Sequence, residues 1–115
     1  MASEPDLLQG TLDVLVLKAL TWGPRHGHAV ARLIRAASGG AFDVLDGSLY
    51  AALHRLEERE FVESEWGLSE KGKRARFYTL TPRGRQQLRA ESASWRRYAD
   101  AVASMLAATT QPAEG

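Results

Sequence analysis

The sequence predicts a mainly α-helical fold with a small β-hairpin, closed by a long C-terminal helix. Three features carry this expectation. Apolar stripes at helical spacing recur through the N-terminal half, two aromatic and β-branched runs flank a Gly-, Lys- and Ser-containing turn, and a Thr-Pro start signal opens a final amphipathic stretch. With 115 residues, the chain can build one small core but not a deep enzyme cleft, and a partner subunit would add to that core.

Asp6 is placed to cap a first helix from Leu7 to about Leu20, with Leu8, Leu12, Leu15, Val16 and Ala19 on one face and Trp22-Gly23-Pro24 as its stop. A second helix, from about His26 to Ala37, carries Ala29, Val30, Leu33, Ile34 and Ala37 as a core-facing stripe, and Ser38-Gly39-Gly40 ends it. Phe42-Asp43-Val44 reads as a short extended link. Asp46 or Ser48 then caps a third helix reaching about Glu60. At about 100° per residue, Leu49, Ala52, Leu53 and Leu56 fall on one side of it and Gly47, Tyr50, Ala51, His54 and Glu58 on the other, with Ser48 and Arg55 on the border. One face packs, and the other is free to read a groove.

Phe61 to Trp66 and Ala75 to Leu80 suit an antiparallel hairpin. The Thr81 hydroxyl followed by Pro82 starts the last helix, which runs to about Ala108 and leaves Thr109 to Gly115 as a frayed tail. Within it Leu88, Trp95 and Val102 recur every seven residues, joined by Tyr98 and Met105. This is a coiled-coil seam of two heptads, weakened at its start by the polar Glu91. The expected organisation is a winged DNA-binding unit over 1–80, a dimerisation helix over 81–108 and a tail over 109–115.

The net charge of +1 hides a segregated distribution. Residues 1–69 hold six Lys/Arg and ten Asp/Glu, residues 70–97 hold nine and two, and residues 98–115 hold none and two. The basic segment is the footprint expected of a polyanion binder, although a solvated helix face gives a similar count. The absence of cysteine excludes disulfides, thiol nucleophiles and thiolate metal sites, and with no signal-peptide pattern it leads to the expectation of a reducing cytoplasm. The apolar run Val14 to Leu17 is far too short to span a membrane. No Ser/His/Asp grouping, glycine-rich phosphate loop or paired-carboxylate motif stands out, so no catalysis and no cofactor are expected. His26 and His28 lack the further ligands of a metal site; His26 is expected to cap or support the second helix.

A two-faced helix followed by the cationic turn Lys71-Gly72-Lys73-Arg74 is the pairing with which a winged helix-turn-helix holds duplex DNA. In that reading Ser48 and Tyr50 meet phosphates or base edges near the helix start, His54 and Arg55 reach deeper, and Lys71, Lys73, Arg74 and Arg76 approach phosphates or a minor groove. Strand alternation alternatively directs Arg76 along the sheet towards an acidic partner. A winged-helix protein-interaction module is the competing function, and it predicts an apolar exposed face where Tyr50, His54 and Arg55 stand.

The wording of residues 7–106 resembles the PadR family of bacterial transcriptional regulators. Leu8-Gln9-Gly10-Thr11-Leu12-Asp13 and Leu17-Lys18-Ala19-Leu20 are similar to that family's first helix, and Gly23-Pro24-Arg25-His26-Gly27 to its first turn. Gly47-Ser48-Leu49-Tyr50-Ala51-Ala52-Leu53-His54-Arg55-Leu56-Glu57 resembles its recognition helix, and Arg74 to Gly84 its return strand and dimerising helix. Three positions depart from the usual pattern: Ala51 replaces proline, His28 replaces tyrosine, and Glu70-Lys71-Gly72-Lys73 replaces an asparagine-rich wing tip. The resemblance implies a homodimeric repressor of the smaller subclass, bound to a pseudo-palindromic operator. It also allows a small hydrophobic or aromatic effector between the subunits, in contact with Trp95 and Tyr98.

Overall fold

The computed structural model describes residues 4–114, with side chains described from Gly10 onward. Four helices, a 3-10 turn and three strands follow in the order α1 (Glu4–Ala19), the turn Leu20–Trp22, β1 (Arg25–His26), α2 (Gly27–Ala37), α3 (Asp46–Glu58), β2 (Val62–Leu68), β3 (Arg74–Leu80) and α4 (Pro82–Ala107). The expected winged helix is thus present, with two boundary corrections. Helix α1 covers Glu4–Ala19, so Asp6 lies within it and not at a cap. Leu45 occupies the cap position of α3 without a side-chain bond, and Asp46 instead places its charge in the first turn, where the helix dipole favours it.

The sheet has three strands in the order β1-β3-β2, both pairs antiparallel. Arg25 pairs with Tyr78 and His26 with Phe77, adding to the hairpin a strand that two residues are too short to announce by alternation. In the hairpin itself Val62 faces Leu80 and Trp66 faces Arg76. Both strands run further towards the tip than expected, to Leu68 and from Arg74.

Val16, Leu17, Leu20, Val30, Leu49, Leu53, Leu56, Val62 and Leu80 form the centre of one core. Helix α1 touches α2, α3 and α4. Covered on more than one side, it buries Leu17 as well as Val16 and Ala19 of the stripe read from the sequence, with Leu12 and Leu15 half-buried and Leu8 outside the residues whose side chains are described, and the turn that follows buries Leu20. Leu88 joins the same core at 9% exposure. It is therefore used within the chain and does not remain on the free seam.

The start of α4 is locked to the end of α3. Thr81 Oγ1 accepts from Gly84 N at 3.0 Å and lies 2.8 Å from Glu60 O, to which it donates, while Thr81 N donates to Phe61 O at 3.1 Å. Gly84 is needed for this approach: a Cβ there would stand 2.0 Å from Phe61 O. Gly84→Ala is expected to destabilise the fold by about 3 kcal/mol, because the obstacle is backbone and cannot rotate away. Thr81→Val is expected to cost about 1 to 2 kcal/mol through the lost cap. Urea unfolding checks both, and a Gly84→Ala midpoint equal to wild type would refute the packing argument.

Candidate nucleic-acid interface

Helix α3 buries Leu49, Ala52, Leu53 and Leu56 and turns Tyr50, Ala51, His54 and Glu58 outward, as its periodicity requires. The ring of Tyr50 lies against the first residue of α2. A Cβ on Gly27 would stand 2.8 Å from Tyr50 Cε1, so glycine at this position creates the space the tyrosine occupies. One residue earlier, His26 caps α2: its Nδ1 accepts from Ala29 N at 3.2 Å, and its ring packs edge-on against Phe77 of the sheet. The turn ahead of α2 and helix α3 are therefore joined through a His-Gly pair.

A cleft of about 630 Å³ opens between α2, α3 and the hairpin. Tyr50, Lys71, Lys73, Arg74 and Arg76 all line it, which brings five of the eight expected DNA-binding residues to one concavity. Arg74 lies 4.6 Å above the ring of Trp66 and Arg76 5.6 Å from it, a cation-π arrangement that orders both guanidinium groups on the hairpin face. Arg76 is also turned along the sheet. Its Nε donates to Ser64 Oγ at 2.7 Å, its Nη2 lies 3.7 Å from Glu57, and Ser64 in turn donates to the same carboxylate. The acidic-partner alternative read from strand alternation describes this arrangement.

The other three expected residues lie elsewhere. Arg55 donates to Asp13 at 2.8 Å and braces α3 against α1, so it does not extend into a groove. His54 is exposed beside Glu58 at 3.1 Å, one turn along the same helix. Ser48 faces a smaller hollow of about 230 Å³ lined by Leu12, Leu15, Phe42 and Leu45. Sequence reading missed Trp66, His28 and Arg32 as cleft residues. Cross-strand register could have placed Trp66 opposite Arg76, but nothing local signals that α2 faces the hairpin tip.

At that tip Glu70 accepts from Arg32 Nη2 at 3.1 Å and from His26 Nε2 at 3.4 Å. A backbone hydrogen bond at Glu70 itself, then Arg32 and His26, lower its pKa to about 2. The turn is closed by Ser69 N donating to Lys73 O at 2.8 Å.

A second surface lies on α4. Beyond Leu88 this helix buries none of its side chains, yet it presents Trp95, Tyr98, Val102, Met105 and Leu106, the last two 78% and 81% exposed. Trp95 and Tyr98 stack with centroids 5.7 Å apart. With Gly10, Thr11 and Val14 of α1 they line an open groove of about 330 Å³. No described helix is long and apolar enough to cross a membrane.

Comparison with known proteins places this geometry in a family. The profile described as "Transcriptional regulator PadR-like family" matches residues 16–90. A transcriptional regulator from Clostridium thermocellum superposes with a TM-score of 0.77 at 25% identity, covering 86% of this chain and 96% of that one. A PadR family transcriptional regulator from Eggerthella lenta gives a TM-score of 0.74 at 31% identity, covering 90% and 88%. An uncharacterized 37.1 kDa protein in a transposon of Streptomyces fradiae is 44% identical over 90 residues, which is 78% of this chain and 24% of that longer protein. The chain belongs to the PadR-like family of transcriptional regulators.

Proposed function

We propose that this regulator is a homodimeric repressor that binds a pseudo-palindromic operator, with its two recognition helices in successive major grooves and its wings on the flanking backbone. The observation that carries this reading is the cleft in which Tyr50 of α3 and Lys71, Lys73 and Arg74 of the wing converge. Tyr50 and His54 read base edges, Ser48 meets backbone at the helix start, and the wing cations meet phosphates. Arg55 and Arg76 support these groups through Asp13 and Glu57. A protein-interaction module would need an apolar recognition face, and that of α3 is polar.

Dimerisation uses the unpartnered stripe of α4, an apolar surface that a lone soluble chain rarely leaves exposed. It also supplies the second DNA contact that one small module lacks. The groove at Trp95 and Tyr98 is then the place for a flat hydrophobic effector, since the stacked pair is only half-buried and leaves aromatic surface on which a planar ring can pack. An effector that favours a dimer with wrongly spaced recognition helices releases the operator.

Wing and recognition helix should fail differently. Lys73→Ala or Arg74→Ala should weaken binding to all duplexes and flatten the salt slope by about one each, whereas Tyr50→Phe or His54→Ala should reduce discrimination between operator and random DNA. Equal losses on both DNAs for all four variants would remove the case for base reading. Truncation after Arg89 keeps Gly84 and Leu88, so sedimentation at micromolar concentration should show a folded monomer; a dimer would refute the α4 interface. Planar hydrophobic dyes should quench the wild type but not Trp95→Phe, and operator DNA should weaken dye binding by the factor by which dye weakens DNA binding. Quenching unaffected by DNA would leave Trp95 as interface core alone.

A further inference from the structure

We propose that Arg32 and His26 form a seat for a DNA backbone phosphate, and that the carboxylate of Glu70 fills this seat while the protein is free of DNA. The inference rests on the DNA-binding reading above and adds a site and an internal competitor to it. Glu70 is the only carboxylate among the residues lining the cleft, where it lies beside Arg32, Lys71, Lys73 and Arg74. One of its oxygens accepts from Arg32 at 3.1 Å and the other faces His26 at 3.4 Å. Because His26 Nδ1 is occupied as the acceptor of Ala29 N, Nε2 carries the ring proton and aims it at the carboxylate. A guanidinium and an imidazole N–H converging on two oxygens of one anion are a donor set that suits a phosphate equally well.

The occupant is ionised at neutral pH, as an ordinary carboxylate is, and its neighbours lower its pKa further to about 2. A full negative charge therefore stands where the duplex backbone has to come. The pair is also easy to exchange: the Arg32 and Glu70 side chains are 54% and 61% exposed, and exposed ion pairs of this kind are weak. Glu70 sits on the hairpin tip, so it can swing outward without disturbing the strands, whereas Arg32 is carried by α2 and His26 by β1 at the α2 cap, and both stay in place. The rival account makes Glu70 a brace that holds the wing in its binding position. The two accounts predict opposite signs.

The test is fluorescence anisotropy of the full chain with a labelled random-sequence duplex, from about 50 to 200 mM salt. Glu70→Gln and Glu70→Ala should bind about two- to fivefold tighter than wild type, with a salt slope steeper by about one. Arg32→Gln should bind more weakly, and Glu70→Gln should gain less than about twofold in the Arg32→Gln background, as a shared partner requires. Glu63→Gln, which removes an exposed carboxylate outside the cleft, should give a smaller gain than Glu70→Gln. Unchanged or weaker binding by both Glu70 variants overturns the proposal in favour of the brace, and an undiminished gain without Arg32 overturns the seat. A wild type that binds no duplex at all overturns the DNA reading and this proposal together.

Discussion

Thr81 stands where α3 has ended, the sheet returns and the last helix begins, and its hydroxyl joins all three. As acceptor it caps α4 through Gly84, and as donor it holds the carbonyl of Glu60, the one non-glycine residue of the described chain with a left-handed backbone, φ 64°. Its own amide bonds Phe61. The direction in which α4 leaves the sheet therefore has little freedom, because Gly84 already touches the Phe61 carbonyl in the absence of any side chain. Everything that α4 presents further along, including Trp95, Tyr98 and Val102, inherits its position from that contact.

A similar economy positions the outward face of α3. His26 caps α2 with one ring nitrogen and reaches Glu70 with the other, while its backbone extends the sheet beside Phe77. Gly27 then admits the Tyr50 ring. Two adjacent residues thus relate α2, α3 and the wing, which explains in physical terms why a His-Gly pair occurs ahead of this helix. Trp66 completes the arrangement from the other side by ordering Arg74 and Arg76 across the hairpin.

The helices, the hairpin and the Thr81 cap were legible because each has a local signature: an apolar period, a turn composition, or a hydroxyl before proline. The outward set on α3 followed from the same period. What was not legible depends on contacts between distant segments. Arg55 lies on the border of α3 by angle, and only the approach of Asp13 from α1, 42 residues away, turns it inward. Arg32 and Glu70 are 38 residues apart, and neither residue carries a mark of the other. Leu88 fits the heptad of α4 perfectly well, but the first turns of that helix are packed on the chain's own core. Periodicity reports that a face is apolar, not which surface covers it.

Helix α1 links the two surfaces on which the proposed repressor depends. Thr11 and Val14 line the aromatic groove against α4, and Asp13, which lies between them in sequence, holds Arg55 of the recognition helix. The Asp13 and Arg55 side chains are 27% and 30% exposed, so this ion pair is screened less than the exposed pairs at the wing tip. A group wedged between Trp95 and α1 would push on the same helix that anchors α3, and a close-packed core transmits such a displacement instead of absorbing it. In the proposed repressor, coupling between an α4 ligand and operator spacing would therefore not have to pass through the wing. Its shortest route would be one turn of α1 and one ion pair, and since the same connection acts in both directions, DNA that fixed α3 would also resist opening of the groove.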